Sequence, residues 1–377
     1  MYIDQLKLSL FRNYLYQELQ FSPHVNCFVG VNGSGKTNVL EAIHCLAITR
    51  SFRSAQDGWM AMEGERGFFV GGKAYSDDMA SQVAYSWEKG KGKNIKVNNG
   101  DRKASEHIGD IPLVAILPDD TQLITGSGAD RRKFLDVLLC QYSKPYLFHL
   151  TQYDKVLKQR NALLKSFHEM RYFDEEQLGL WDMQLIPHGI EIATYRKQFI
   201  QDFQPIFSKY FHYIVAQGEV PEIVYQSHLT ENTEEEWKAL LLEKREKDRV
   251  YQYSTAGVQR DNLQFRLNGQ MIKNFGSQGQ QKTFAISLRL AQYFLLKEQK
   301  QVSPILLLDD IFDKLDQYRL KQIAALVAGV LEGQVFITDT SLERLRKAFS
   351  EKTSDREVFF FQVEKGKIEP ISNEEEQ

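Results

Sequence analysis

Gly-Val-Asn-Gly-Ser-Gly-Lys-Thr, residues 30–37, is the stretch that decides the fold of this chain. It matches G-x-x-x-x-G-K-T, the Walker A pattern of phosphate-binding loops. The apolar segment at 24–29 predicts a strand before the loop, and apolar residues at helical spacing over 38–49 predict a helix after it. A chance glycine-rich turn would not need these flanks, so the order of strand, loop and helix favours a nucleotide site.

The residue types in this loop suit a triphosphate bound with magnesium. Glycines let the backbone approach the phosphates, and the loop N–H groups and the positive end of the next helix hold the anion. Lys36 is expected to reach the β- and γ-phosphates and to be catalytic, and the Thr37 hydroxyl is expected to bind Mg²⁺. The predicted ATP contacts are Gly30, Val31, Asn32, Gly33, Ser34, Gly35, Lys36 and Thr37.

The composition of the chain limits the classes of function that it can have. The chain has 377 residues, 42% of them hydrophobic and 26% charged, with a net charge of −3, so any DNA contact must use local basic patches. No apolar run approaches the roughly 20 residues that cross a bilayer, and the N-terminal residues do not resemble a signal peptide. The three cysteines are far apart and lack metal-ligand spacing. We therefore expect a cytoplasmic protein with no membrane partner.

A second motif completes the predicted ATP site. Residues 305–310, Ile-Leu-Leu-Leu-Asp-Asp, form an apolar run that ends in two carboxylates, as in a Walker B strand. Asp309 is predicted to hold Mg²⁺ and Asp310 to polarise the attacking water. Alone, the run would fit an ordinary buried strand with an acidic turn, but together with residues 30–37 it indicates the Walker pair.

The segment before that strand is similar to an ABC signature. Residues 277–281, Ser-Gln-Gly-Gln-Gln, open a predicted helix, whose N-terminus can hold a second anion. In ABC-type ATPases this segment contacts the γ-phosphate that the other subunit binds, so Ser277, Gly279 and Gln280 are predicted to contact ATP across a homodimer. The alternative is a glycine-rich loop with a helix cap at Ser277. Residues 313–316 fall where such ATPases carry their D-loop.

These motifs predict an α/β fold, a P-loop ABC-type ATPase head. It has a mixed β-sheet around the Walker A helix plus an antiparallel sheet, an inserted, mostly helical second lobe, and no long coiled coil. The expected limits are 1–125 for the N-terminal part of the ATPase lobe, 126–250 for the helical insertion, 251–372 for the C-terminal part of the core, and 373–377 for a disordered tail.

Further motifs show a resemblance to the RecF family over nearly the whole chain. They lie at Phe11–Tyr14, Pro118–Asp120, Thr125–Ser127, Arg131–Asp136 and Gln159–Lys165, besides the Walker and signature segments. The resemblance implies an SMC-like ATPase head that dimerises with ATP and binds duplex DNA, gapped DNA or a single-strand/double-strand junction. It also implies slow DNA-stimulated ATP hydrolysis, work with RecO and RecR in loading the RecA recombinase, and support of the SOS response.

Two segments depart from the family pattern. Residues 257–262 read Gly-Val-Gln-Arg-Asp-Asn, where the family usually has Gly-Pro-His-Arg-Asp-Asp. Lys314 stands where a glutamate is common in the D-loop.

Candidate DNA contacts are basic residues in three places. Arg53 follows the Walker A helix, Lys91 and Lys93 lie in a glycine-rich hairpin, and Arg131 and Arg132 open a helix. The alternatives are a solvated turn for the lysines and an ion-paired helical face for the two arginines.

Two other functions fit the ATPase motifs. An ABC transporter subunit would carry a switch histidine after the last core strand, where this chain has Thr338. A structural SMC-like head would need a long heptad arm, and no such repeat is present.

Overall fold

The computed structural model describes residues 1–76, 79–215, 218–311, 317–329, 331–350 and 356–371. The D-loop at 313–316, with Lys314, and the tail at 373–377 lie outside these residues. Contacts divide the chain into two compact units. The first unit comprises Met1–Asp120, Tyr213–Ala216 and Ile286–Gln377, and the second comprises Thr121–His212 and Gln217–Ala285.

The strands of the described residues are β1 (Tyr2–Phe11), β2 (Tyr14–Gln20), β3 (Val25–Val29), β4 (Gly67–Ser76), β5 (Met79–Glu88), β6 (Gly92–Val97), β7 (Gly100–Asp101), β8 (Leu113–Ile116), β9 (Pro221–Gln226), β10 (Asn262–Leu267), β11 (Gln270–Met271), β12 (Ile305–Leu308), β13 (Val335–Asp339), β14 (Val358–Glu364) and β15 (Lys367–Pro370).

The α-helices are α1 (Lys36–Ile48), α2 (Ala104–His107), α3 (Gln122–Thr125), α4 (Gly128–Tyr142), α5 (Lys144–Met170), α6 (Glu175–Ile214), α7 (Glu234–Tyr251), α8 (Ile272–Phe275), α9 (Gln278–Lys300), α10 (Gln317–Gly329) and α11 (Leu342–Ser350).

A mostly parallel sheet positions the Walker motifs in the first unit. Its strand order is β15-β14-β3-β13-β12-β8, and only β15 runs antiparallel to its neighbour. Strand β3 leads into the Walker A loop, and β12 leads into Asp309. Because β3, β13 and β12 are parallel, their carboxyl ends lie at the same edge, where ligands bind in open α/β sheets.

An antiparallel sheet of order β2-β1-β4-β5-β6-β7 completes the first unit. One apolar cluster joins residues of this sheet, the parallel sheet and α1. Eleven of the 13 residues of α1 are buried. A helix that is covered on nearly every side by sheet residues gives the phosphate loop at its N-terminus a rigid support.

The second unit is mostly helical. It contains α3 to α5, most of α6, α7 and α8, together with a three-stranded antiparallel sheet of order β11-β10-β9. Asn268 and Gly269, both with positive φ, form the turn between β10 and β11, as the Asn-Gly pair predicts. Helix α9 begins in this unit and ends in the first.

The fold class predicted from the motifs is confirmed by this architecture. The mixed sheet around α1, the antiparallel sheet and the mostly helical unit are all present. Strands β14 and β15 were not predicted. Strand β14 pairs in parallel with β3 and antiparallel with β15, and the long-range pairing with β3 has no local sequence signal.

Candidate nucleotide-binding site

The phosphate loop depends on its glycines. Gly33 and Gly35 have φ angles of 81° and 120°, in the left-handed region that favours glycine. A Cβ atom on Gly35 would lie 2.7 Å from both Asn13 Nδ2 and Tyr14 OH, so the loop could not pack as it does with a larger residue.

Side chains of the Phe11–Tyr14 motif donate hydrogen bonds to backbone carbonyls of the phosphate loop. Asn13 Nδ2 donates to the Ser34 carbonyl at 3.0 Å, and Tyr14 OH donates to the Gly35 carbonyl at 3.0 Å. Asn38 Nδ2 in turn donates to Asn13 Oδ1 at 2.7 Å. Sequence reasoning used this motif only as a family mark and missed its role. The structure shows that it fixes the carbonyl side of the loop.

The surroundings of the Lys36 and Ser34 side chains indicate whether the loop is suited to bind an anion. Lys36 is buried, and its Nζ donates to the carbonyls of Gly30 and Val31 at 2.8 and 3.2 Å. Ser34 Oγ is buried and has no hydrogen-bond partner in the described part of the chain. In the part of the chain that the structure describes, the Lys36 charge is bound by carbonyls without a carboxylate, and together with the unpartnered Ser34 hydroxyl it fits a phosphate group.

Asp309 joins the two Walker motifs. Thr37 Oγ1 donates to this carboxylate at 3.0 Å, and Thr338 Oγ1 donates to it at 2.7 Å. Burial raises the pKa of Asp309 above 3.8, although the two hydroxyl hydrogen bonds oppose the rise. A hydroxyl beside a buried carboxylate is an oxygen pair that suits Mg²⁺, so the predicted metal residues Thr37 and Asp309 do come together.

Asp310 follows in a strained conformation. Its φ is 43°, and its backbone N–H donates to Thr338 Oγ1 at 2.9 Å. Its negative charge also contributes to the raised pKa of Asp309. Thr338, at the position of the transporter histidine, therefore bonds to the Asp309 carboxylate and to the Asp310 backbone N–H, a role that the sequence did not predict.

The predicted DNA residue Arg53 lies beside this site. Its Nη1 donates to Asn38 Oδ1 at 2.8 Å, and its positive charge opposes the rise in the pKa of Asp309 that burial causes. The neighbouring Arg12 donates two hydrogen bonds, of 2.8 and 2.6 Å, to the buried Glu41 of α1. Ser51 Oγ also donates to Glu41. Arg53 is half-exposed and stands at the N-terminal end of α1.

The signature residues form a helix cap in the second unit. The Ser277 N–H donates to Gln280 Oε1 at 2.8 Å, and Ser277 Oγ accepts from the Gln280 N–H at 3.2 Å. Gln280 Nε2 also donates to Glu219 Oε1 at 2.5 Å, and the Gly279 carbonyl accepts from Thr283. This reciprocal cap leaves the N–H groups of the first turn of α9 near an exposed serine.

The other predicted DNA residues belong partly to the first unit and partly to the second. Lys91 is exposed and pairs with Glu88 at 2.9 Å, and Lys93 lies two residues further along the same hairpin. In the second unit, Arg131 Nε donates to Asn262 Oδ1 at 3.0 Å, and Arg132 Nη1 donates to the Asp261 carbonyl at 2.6 Å. Burial lowers the pKa of both arginines.

The loop at 257–262, which departs from the family pattern, contacts buried residues of the second unit. Gly257 has a φ of 113°, and a Cβ atom there would collide with Tyr153 OH. Asp261 is buried and accepts from Tyr225 OH, while Arg196 lies 3.8 Å away. The altered loop therefore keeps the residues that hold the second unit together.

A family model described as the RecF/RecN/SMC N terminal domain matches residues 2–68. The DNA replication and repair protein RecF of Flavobacterium johnsoniae is 42% identical over 91% of this chain and 95% of that protein. RecF of Phocaeicola vulgatus is 41% identical over 98% of both chains. This chain belongs to the RecF family. The resemblance drawn from the motifs is thereby confirmed.

Solved structures give the same result. A structure of the recombination mediator protein RecF with ATP, in the RecFOR pathway, aligns with a TM-score of 0.88 and 30% identity over 98% of both chains. An Smc head bound to the C-winged helix domain of ScpA aligns with a TM-score of 0.57 at 16% identity, which shows a shared fold alone. The RecF family member thus has the fold of an ABC/SMC-type ATPase head.

Proposed function

We propose that this RecF family chain is an ATP-dependent DNA-binding protein of bacterial replication and recombinational repair. The observation that carries the proposal is the cluster of Lys36, Thr37 and Asp309, which places a cation and a buried carboxylate at the ends of the Walker strands. Lys36 would hold the phosphates of ATP, and Thr37 with Asp309 would hold Mg²⁺. Asp310 would polarise the water that hydrolyses ATP.

ATP would act by joining two copies. Ser277, Gly279 and Gln280 of one copy would contact the γ-phosphate bound at residues 30–37 of the other. The exposed cap of α9 supports this role, because its first-turn N–H groups can meet an anion. ATP would then favour the closed dimer over the open state, since only the closed state offers both contacts.

The closed dimer would hold duplex DNA, gapped DNA or a junction between single and double strands. By its family membership we also propose slow DNA-stimulated hydrolysis, RecO- and RecR-like partners, help in loading the RecA recombinase, support of the SOS response and a cytoplasmic location. The basic residues Arg53, Lys91 and Lys93 remain candidate DNA contacts. Arg131 and Arg132 bind carbonyl and amide groups of their own unit, which favours a structural role for them.

The two alternatives have less support. A transporter ATPase would carry a switch histidine where this chain has Thr338, which donates to Asp309. A structural SMC-type head shares the fold, but the 40 residues of α6 contain two internal prolines and many buried side chains, unlike a solvent-exposed heptad arm.

Binding to a fluorescently labelled gapped duplex, with and without ATP and Mg²⁺, tests the proposal. Fluorescence anisotropy should show tight, salt-sensitive binding that requires ATP, because only the closed dimer forms the DNA groove. Equal and weak binding in both conditions would contradict the proposal.

A further inference from the structure

We propose that the second unit carries a separate contact site for unpaired nucleotides, formed by Lys247, Tyr251, Tyr253 and Arg260. We term these four residues the aromatic ladder. The proposal rests on the proposed function, because it assigns the single-stranded part of a DNA substrate to a particular surface.

The ladder places its two rings between its two cations. Lys247 Nζ lies 5.9 Å from the centroid of the Tyr251 ring. The rings of Tyr251 and Tyr253 are 5.8 Å apart and tilted by 38°. Arg260 Cζ lies 4.9 Å from the centroid of the Tyr253 ring. A cation therefore stands at each end of a pair of aromatic rings.

The chain path explains this arrangement. Helix α7 ends at Tyr251, and Gln252 has a left-handed φ of 59°, which turns the backbone at the helix end. Tyr251 and Tyr253 are thereby brought next to each other, although they are two residues apart. Lys247 joins them because it lies one helical turn before Tyr251.

Other residues hold this turn in place. Asp248 Oδ1 accepts from the Thr255 N–H at 2.7 Å, and Asn161 Oδ1 accepts from the Ser254 N–H at 2.8 Å. Tyr251 and Tyr253 remain 52% and 40% exposed, whereas Tyr153 in the same unit is 1% exposed. The two rings are thus only partly used in packing, and roughly half of their surface can meet a ligand.

Neither cation has its charge neutralised by a carboxylate of the described residues. Neither Lys247 nor Arg260 forms an ion pair within the part of the chain that the structure describes. The nearby Asp248 is buried and bound by Arg160 at 2.7 Å, and Glu246 lies 3.8 Å from Arg249. Arg260 is positioned by its bonds to the Ser254 carbonyl, while Lys247 can swing towards a phosphate.

Single-stranded nucleic acid is the ligand that would contact both the exposed rings and the two cations. Exposed rings next to lysine and arginine allow bases to stack while the cations neutralise phosphates. The base faces of a duplex are already stacked on each other, so a duplex could use only the cations. An acidic peptide would likewise leave the rings without a partner.

The test uses the full chain without nucleotide and a labelled oligothymidylate of about 15 nucleotides. We expect Tyr251→Ala/Tyr253→Ala to weaken binding about tenfold or more, since each stacked ring contributes separately. Tyr251→Phe/Tyr253→Phe keeps the rings and should bind within about twofold of the wild type. Lys247→Ala should lower the slope of log affinity against log salt by about 0.7.

Tyr172→Ala is the matched control, because Tyr172 is 60% exposed and belongs to the same unit but not to the ladder. Thermal unfolding of each variant confirms that it is folded. Equal oligothymidylate binding by the wild type and the double alanine variant would overturn the ladder, as would a wild type that binds no oligothymidylate. ATP-dependent binding to the gapped duplex is measured separately, so a failure of the ladder and a failure of the proposed function give different results.

Discussion

The buried charges of the Walker cluster in the first unit differ from the buried charges of the second unit in their partners. Among the described residues of the first unit, two carbonyls bind Lys36 and two hydroxyls bind the Asp309 side chain, with no other partner for either. Both side chains are buried, and neither forms an ion pair in the described ranges of the chain. Each charge is therefore solvated by neutral groups alone.

In the second unit the buried charges are paired. Arg160 is fully buried and holds Asp182 at 2.6 Å and Asp248 at 2.7 Å. Arg196 is 2% exposed and contacts Asp136 at 2.8 Å. These pairs join residues far apart in sequence and require no outside ligand.

The difference separates binding from folding. A buried charge without an opposite charge is costly, and a protein retains it where a ligand will supply the missing charge. A buried ion pair is costly to break, because one partner then stays behind unpaired. We therefore expect substitutions in the Walker cluster to change ligand affinity and substitutions in the second unit's pairs to change stability.

The largest effect is expected for Arg160→Met. It would leave Asp182 and Asp248 buried opposite an apolar side chain, and the free energy of unfolding should fall by about 3–5 kcal/mol. Urea unfolding followed by circular dichroism measures this loss. Arg249→Met is the control, because that arginine is half-exposed and its ion pair spans 3.8 Å. A loss below about 1 kcal/mol would show that the pair does not hold the unit.

Lys36→Ala should have the opposite effect, a large loss of ATP affinity with little change in stability. ATP affinity is expected to fall about 100-fold or more, because the loop loses its only phosphate-binding cation, while stability should change by about 1 kcal/mol or less. Calorimetric titration with ATP and Mg²⁺ gives the affinity, and Lys91→Ala serves as a surface lysine control. Normal ATP affinity in the Lys36 variant would remove the phosphate-loop assignment.

Ser277→Arg tests the signature without touching the Walker cluster. An arginine there would block the partner's γ-phosphate site, so ATP binding should stay within about twofold while ATP-dependent dimerisation is lost. The loss of the helix cap should cost only about 1 kcal/mol. Light scattering with and without ATP measures the dimer, and Asn274→Arg adds the same charge at an exposed position outside the signature. A variant that still dimerises would contradict the contact in trans.

Much of the first unit could be predicted because its motifs are local. The Walker A loop is a continuous segment, and the apolar run before Asp309 identifies its strand without any long-range information. The neighbours of these motifs could not be predicted. Thr338 reaches Asp309 only because β13 pairs with β12, and Asn13 reaches the loop only through the fold of the antiparallel sheet.

The second unit was harder to predict for the same reason. Apolar periodicity indicates its helices, but it gives no sign that Arg160 meets Asp248 across 88 positions of sequence. The arginines at 131 and 132 look like an exposed basic pair, yet tertiary contacts direct both to the loop at 261–262. Charge in a sequence indicates a ligand only once its internal partners are known.

The smallest expected effect concerns the pH dependence of Asp309→Asn. Burial raises the pKa of Asp309 above 3.8, so the folded protein holds this proton more tightly than the unfolded chain. The resulting stabilisation is present at low pH and is lost as the pH rises through the raised pKa. The asparagine variant has no such loss. Without nucleotide, its melting temperature should therefore exceed that of the wild type above the raised pKa, and the difference should shrink as the pH falls below it. Mg²⁺ with ATP should reverse the order of the two melting temperatures, because only the carboxylate binds the metal.

Asp119→Asn, an exposed change of the same kind, should follow the wild type throughout. Parallel curves for the Asp309 variant and the wild type would mean that the unpaired carboxylate carries no cost, and the contrast between the two units would then rest on Lys36 alone.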